Sequence, residues 1–419
     1  MKTVEWALAS NIYEVNTRQY TREGTFSAFQ QHLPRLQKMG VEILWFMPIT
    51  PISHLGRKGT LGSYYACSSY TAINPEFGNL EDFKALVKNA HEIGFKVIID
   101  WVINHTGWDH EWIAKHPEFY KKNDHGELYD AHGWEDVVDL DFTNKSLWDA
   151  MLNAMRFWVE ECDIDGFRCD MAHLVTLDFW EYVRSNLDKQ KKLLWVAETE
   201  NPEYHNVFDA TYGWELLHSM EQLYRKELNL SQLKEVLNKY HTNFPKDGLR
   251  LLFTSNHDEN SHSGSEWERM GNGAKAFAVL CATWQNCIPL IYSGQEIPNT
   301  KRLLFFDKDE IEWPQYNQLE HFYEILLASR KTTSALIVGA ENSDTIIINN
   351  SAQDNILSYK RKNKTDEILV VLNLSNEIQH FELFGFNTER HLKEIFSSEL
   401  YTSNKMQLNA WNFKVFASQ

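Results

Sequence analysis

Residues 96–105 read Lys96-Val97-Ile98-Ile99-Asp100-Trp101-Val102-Ile103-Asn104-His105. Apolar side chains fall on both faces of this run, as in a parallel strand covered by helices on its outside. Its C-terminal end turns polar. The same design recurs at 165–171 (DGFRCDM), 193–198 (LLWVAE), 249–255 (LRLLFTS) and 288–293 (IPLIYS). Two earlier runs, 42–48 and 9–15, complete a set of strand-like segments.

Amphipathic helices fall between them. Asn79 is a natural N-cap; Leu80, Phe83, Leu86, Val87, Ala90 and Ile93 form one stripe, and Gly94 suits the residue after the helix. Leu147, Met151, Met155 and Trp158 form a second stripe at helical spacing. Alternating strands and helices over some 330 residues mean an α/β fold. The length favours a closed (β/α)8 TIM barrel over an open doubly wound sheet, since a barrel takes about 250 residues or more. No GxGxxG or GxxxxGK[ST] run is present, so nothing points to a nucleotide or redox cofactor.

Two segments break the pattern. Residues 105–141 are aperiodic and rich in His, Trp, Asp and Gly, a short excursion domain after the third strand. From residue 331 to 419 short alternating runs with polar turns predict a C-terminal antiparallel β-sandwich. The barrel is then 1–104 plus 142–330.

Composition narrows the partners. Lys and Arg number 41 against 58 Asp and Glu, a net charge of −17. Such a chain is a poor binder of nucleic acid or anionic membranes, whose phosphates call for cations. No apolar run approaches the ~18 residues of a membrane span. Trp outnumbers Pro, 15 to 10, which fits a groove that stacks sugar rings. The five cysteines include no CxxC pair and read as reduced, buried thiols of a reducing compartment. The opening Met1-Lys2-Thr3-Val4-Glu5-Trp6 lacks the apolar stretch of a secretory signal, so the expected location is cytoplasmic.

Four strand ends carry the chemistry: Asp100–His105, Gly166–Asp170, Val196–Glu200 and Thr254–Asp258. In a parallel barrel these ends open onto one face. A lone Asp there more often caps a helix or pairs with a surface cation. Asp170, Glu198 and Asp258 arriving together with Arg168, His105 and His257 match the needs of glycoside hydrolysis. That reaction asks for an acid at the leaving oxygen and a carboxylate at the anomeric carbon.

These segments resemble the signatures of the α-amylase family of glycoside hydrolases. Asp100, Asn104 and His105 look like its first motif, Gly166-Phe167-Arg168-Cys169-Asp170 its second, Glu198 its third, and Asn256-His257-Asp258 its fourth. Tyr65–Tyr70 with Ile73–Gly78, and Pro289–Glu296, are similar to the segments after its second and eighth strands. The resemblance implies a retaining enzyme cleaving α-glucosidic bonds, of the α-1,4 type, in starch, glycogen or maltodextrins. It implies Asp170 as nucleophile, Glu198 as general acid and then base, and Asp258 on the sugar hydroxyls. Arg168 would orient Asp170, His105 and His257 would donate to the same ring, and Tyr65 would stack beneath it; His173, three residues past Asp170, would either touch the leaving side or merely pack. The two reacting carboxyls would lie about 5–5.5 Å apart. The resemblance also implies either a structural Ca²⁺ held by Asn104 and Asp139 or, as in members that lack the ion, an Asn104 that simply hydrogen-bonds the excursion. An exo-acting α-glucosidase, an α-glucanotransferase and a sugar-binding protein without activity are the alternatives. The last is disfavoured by the presence of all three carboxylates.

Overall fold

The computed structural model describes residues 3–339 and 343–418; Met1 and Lys2, quoted above, lie outside this range. Eight parallel strands close into a barrel: β1 (Ile12–Val15), β2 (Ile43–Phe46), β3 (Lys96–Val102), β6 (Gly166–Asp170), β7 (Leu194–Ala197), β8 (Ala210–Tyr212), β9 (Leu249–Leu252) and β10 (Cys287–Tyr292). Two short strands, β4 (His105–Gly107) and β5 (Val137–Asp139), pair antiparallel within the excursion.

The double-faced apolar pattern has a direct cause. Ile12, Ile43, Ile98, Leu194, Val196 and Leu251 fill the barrel interior together with Trp45 and Tyr212. Their neighbours along the same strands, such as Val97, Ile99, Phe167, Trp195 and Ala197, pack outward against the helices. The stripe read at 80–93 is the helix Leu80–Glu92, capped by Asn79 with Asp82 returning to the Asn79 N–H. The second stripe is the helix Lys145–Cys162.

One barrel strand escapes sequence reading. β8 has three residues, too few for a periodic signal, and follows a mixed, aperiodic stretch from 198 to 209. The first strand is also shorter than its predicted span of 9–15, because Glu5–Ala7 forms a 3-10 turn and the strand starts at Ile12.

Past the helix Glu320–Thr332, β11 (Thr345–Ile347), β12 (Ile356–Lys362), β13 (Glu367–Asn373), β15 (Leu392–Glu394) and β17 (Phe413–Ser418) form an antiparallel sheet. It faces the ribbon of β14 (Gln379–Glu382) and β16 (Lys405–Leu408) across a core that includes Leu369, Val371, Phe381, Leu408 and Phe416.

Strand register builds the site. β3 and β6 place Asp100 beside Arg168 and Val102 beside Asp170. β6 and β7 place Cys169 beside Ala197, and the Glu198 N–H donates to the Cys169 carbonyl at 3.0 Å. Asp170 and Glu198 therefore emerge side by side. The β6–β7 approach is so close that a Cβ at Gly166 would lie 2.1 Å from the Leu194 carbonyl oxygen. Gly166→Ala is expected to cost about 3 kcal/mol or more, seen as a lowered Tm, because a backbone atom blocks the methyl. An unchanged Tm would contradict this packing.

Candidate active site

Arg168 sits at the centre. Its side chain is fully buried, and it holds three carboxylates at once. Nη1 donates to Asp100 at 3.0 and 3.2 Å and to Asp170 Oδ1 at 3.1 Å. Nη2 lies 2.7 Å from Glu198 Oε1, an ion pair without hydrogen-bond alignment. Nε donates to the Tyr212 hydroxyl at 2.9 Å, which uses the strand that the sequence hides. The guanidinium also lies 5.1 Å from the Trp45 ring centre.

The three carboxylates named from sequence meet in one pocket. Asp170, Glu198 and Asp258 line a cavity of about 250 Å³ with Tyr65 and His105. Asp170 Oδ2 is buried and accepts no hydrogen bond from any described residue. That oxygen is left without a protein donor. Burial raises the Asp170 carboxyl well above the ordinary carboxylate range, Glu198 raises it further, and Arg168 opposes both. The Met171 N–H donates to Glu198 Oε2 at 2.8 Å and fixes that carboxyl.

His257 stands at the centre of a second set of polar contacts. It is 1% exposed and does not line the pocket. Its Nδ1 lies 2.5 Å from Glu14 Oε1, and its Nε2 lies 2.7 Å from the Tyr65 hydroxyl and 3.3 Å from Asp258 Oδ2. The Tyr65 hydroxyl donates to Asp100 Oδ2 at 3.0 Å, so it must accept from His257 Nε2–H. With Nδ1–H directed at Glu14, both ring nitrogens carry protons. Burial pulls this ring's pKa down, but Asp258, Glu14 and the Glu14 hydrogen bond outweigh it and hold the pKa at about 9. His257 thus links Glu14 on one side to Tyr65 and Asp258 on the other. Its partner Glu14 is fully buried on β1 and was not legible as a site residue.

His105 behaves in the opposite way. Burial lowers it to about 4, so the ring is neutral. It packs edge-on to Trp134, 5.2 Å between ring centres. Tyr65 lies parallel to Phe305, 6.3 Å away at 12°, and with it forms an aromatic wall of the pocket. Phe305, Phe306 and His262 line the cavity without any signal in the sequence. His173 is exposed, 3.5 Å from the Glu198 carbonyl, and stands outside the pocket.

Asn104 and Asp139 do meet, Nδ2 to Oδ1 at 3.2 Å, but they do not fit calcium. That ion takes roughly 6–8 oxygen ligands. Here the remaining Asp139 oxygen faces Lys121 Nζ at 3.0 Å and His132 Nε2 at 3.5 Å. A side-chain ammonium holds the place beside the carboxylate. Among the described residues no group of three or more His, Cys, Asp or Glu is placed to hold a metal ion.

The description "Alpha amylase, catalytic domain" matches residues 10–132 and 118–335. The chain is 25% identical over 392 residues to alpha-amylase MalA of Haloarcula japonica, covering 89% of this chain and 56% of that protein. It therefore spans little more than half the length of that relative. Among solved structures, a noncanonic maltogenic alpha-amylase, AmyB of Thermotoga neapolitana, superposes with a TM-score of 0.90 at 31% identity, covering 98% of this chain and 99% of that one. An alpha-amylase from Lactobacillus plantarum gives 0.89 at 27% identity, covering 99% and 100%.

Two outcomes follow from this geometry. In ring-nitrogen NMR, His257 is expected to be doubly protonated at pH 7 and to titrate near 9, with Glu14→Gln moving the titration toward neutrality. A neutral ring at pH 7 would contradict the Glu14–His257–Tyr65 arrangement. EDTA is expected to leave the Tm unchanged, whereas Lys121→Ala lowers it. Stabilisation of the wild type by added Ca²⁺ would restore the calcium reading.

Proposed function

We propose a function from the premise that this chain belongs to the α-amylase family of glycoside hydrolases: it hydrolyses α-glucosidic bonds of α-glucans with retention of configuration. The observation that carries this reading is the single buried guanidinium of Arg168 contacting both Asp170 and Glu198. Similarity to MalA and AmyB supports α-glucans such as maltodextrins as the substrate class.

In this reading Glu198 protonates the glycosidic oxygen while Asp170 Oδ2 attacks the anomeric carbon. The C1–O bond breaks, the aglycone leaves with the proton, and a glycosyl ester forms on Asp170. Glu198, now ionised, removes a proton from water as that water attacks C1 and releases Asp170. Positive charge develops on the ring in both steps. Asp258, 40% exposed toward the pocket, and the Asp170 carboxylate face that charge. Neutral His105 offers a ring N–H to a sugar hydroxyl, and Tyr65 offers the ring an apolar platform. Arg168 keeps Asp170 aimed as its charge rises and falls.

Five cysteines, all buried and unpaired, support a reducing, cytoplasmic location. No described helix is long and apolar enough to cross a membrane.

Time-resolved proton NMR with maltoheptaose tests the reading, with α-anomeric products expected first. Asp170→Asn and Glu198→Gln are each expected to lower kcat about 10³-fold or more at a near-normal Tm. β-Anomers appearing first, or either variant turning over at the wild-type rate, would refute these roles.

A further inference from the structure

The pocket is closed unevenly. In the ring of strands β1-β10-β9-β8-β7-β6-β3-β2, Glu198 stands at the end of β7, across the barrel from β1. The segments that follow β2 and β10 flank β1, and the excursion follows β3 beside them. A general acid protonates the leaving oxygen, so the aglycone departs on the Glu198 side. The rest of the glycone must then extend toward the segments after β2, β3 and β10.

Those three segments are stitched together. Lys58 Nζ pairs with Asp136 Oδ1 of the excursion at 2.9 Å. Two residues on, the Thr60 N–H and hydroxyl both donate to Asp307 Oδ1, at 2.7 and 2.6 Å. The Leu61 and Gly62 N–H groups both donate to the Phe306 carbonyl, at 3.0 and 3.2 Å. At Gly59 an added Cβ would lie 2.6 Å from Phe306 Cβ, so these backbones are in contact. The excursion side is tied again where the Asp109 carboxylate accepts from the His54 N–H at 2.7 Å. Lys58, Trp134, Asp136 and Phe306 line the same cavity as Asp170 and Glu198. One stretch, residues 54–62, therefore bonds to both its neighbours and bridges the glycone side.

At about 250 Å³ the cavity is smaller than most small-molecule sites, roughly 300–1,000 Å³. On the side of the acid the Tyr204 hydroxyl donates to the Val175 carbonyl at 3.0 Å, but of the described residues after β6, β7 and β8 only Met171 and Glu198 line the cavity, and His173 stands exposed beside Glu198.

We infer that this rim makes the protein exo-acting: it engages the non-reducing end of an α-glucan and releases a short product, glucose or maltose. The inference rests on the hydrolase reading above. A longer glycone would have to pass through the Lys58–Asp136 pair or the Thr60–Asp307 bonds.

The test compares p-nitrophenyl maltoheptaoside with a free non-reducing end against the same glycoside capped there by a 4,6-ethylidene group, with products resolved by chromatography. The free substrate is expected to yield glucose or maltose from the first turnovers, and the capped one to react roughly two orders of magnitude more slowly. Lys58→Ala combined with Asp307→Ala, which removes the partners of both Asp136 and Thr60, is expected to narrow that gap by about tenfold. Equal rates on both substrates, or mid-length fragments appearing first, would overturn the inference while leaving the hydrolase reading intact. A gap unchanged in the double variant would remove the role assigned to this rim. No turnover of either substrate would remove the hydrolase reading and the inference with it.

Discussion

The structure depends on keeping one guanidinium in the dark. Arg168 has no access to solvent, and Glu14, Asp100, Asp170 and Glu198 are each 7% exposed or less. Arg168 and the His257 ring supply two positive charges against those four carboxyls, an excess of two negatives. Charges buried this way are tolerable only when paired, so it is loss of the cation Arg168, not of one carboxyl from the surplus, that should cost about 3–5 kcal/mol. The excess favours keeping a proton within the cluster, and burial accordingly raises the Glu14, Asp100 and Asp170 carboxyls. Stability and chemistry are thus bound to the same few contacts. Arg168 can be neither deprotonated nor replaced by a point charge, because its fork must reach three carboxylates in different directions.

Much of this was legible in the sequence. Seven of the barrel's eight strands announced themselves, because strands buried on both faces are strongly apolar and end in polar residues. Asp170, Glu198 and Asp258 could be brought together without coordinates, since parallel strands share one active face. β8 stayed hidden because three residues carry no period, yet it delivers Tyr212 to Arg168. Glu14 stayed hidden for another reason. A single Glu within a four-residue strand reads as a solvent-facing position, and only barrel closure turns it toward His257. Phe305 and Phe306 lie in an aperiodic loop, where sequence gives no hint of direction. In the C-terminal sheets, β15 and β16 are short, and β16 is largely exposed, so they too lacked a pattern.

The excursion illustrates how the same residues can serve different physics. Asn104 and Asp139 are adjacent, as the motif implied, but Lys121 and His132 supply the positive charge. This arrangement ties the excursion's β4–β5 ribbon to the barrel and so sets His105 and Trp134 over the pocket. Residues 54–62 brace the ribbon from the other side through Lys58 and Asp136. The pocket's shape is therefore a product of loops anchored by polar contacts, while its reactive groups stand on rigid strand ends. That division separates the contacts that shape the pocket from those that hold Arg168.

The central claim is that Arg168 presents Asp170 as the nucleophile. The most direct measurement is mass spectrometry of the protein after reaction with 5-fluoro-α-glucosyl fluoride, which slows release of a glycosyl ester. The account predicts one added fluoroglucosyl group, mapped by peptide digestion to Asp170. An adduct on Glu198 or Asp258, or turnover without any covalent adduct, would contradict it.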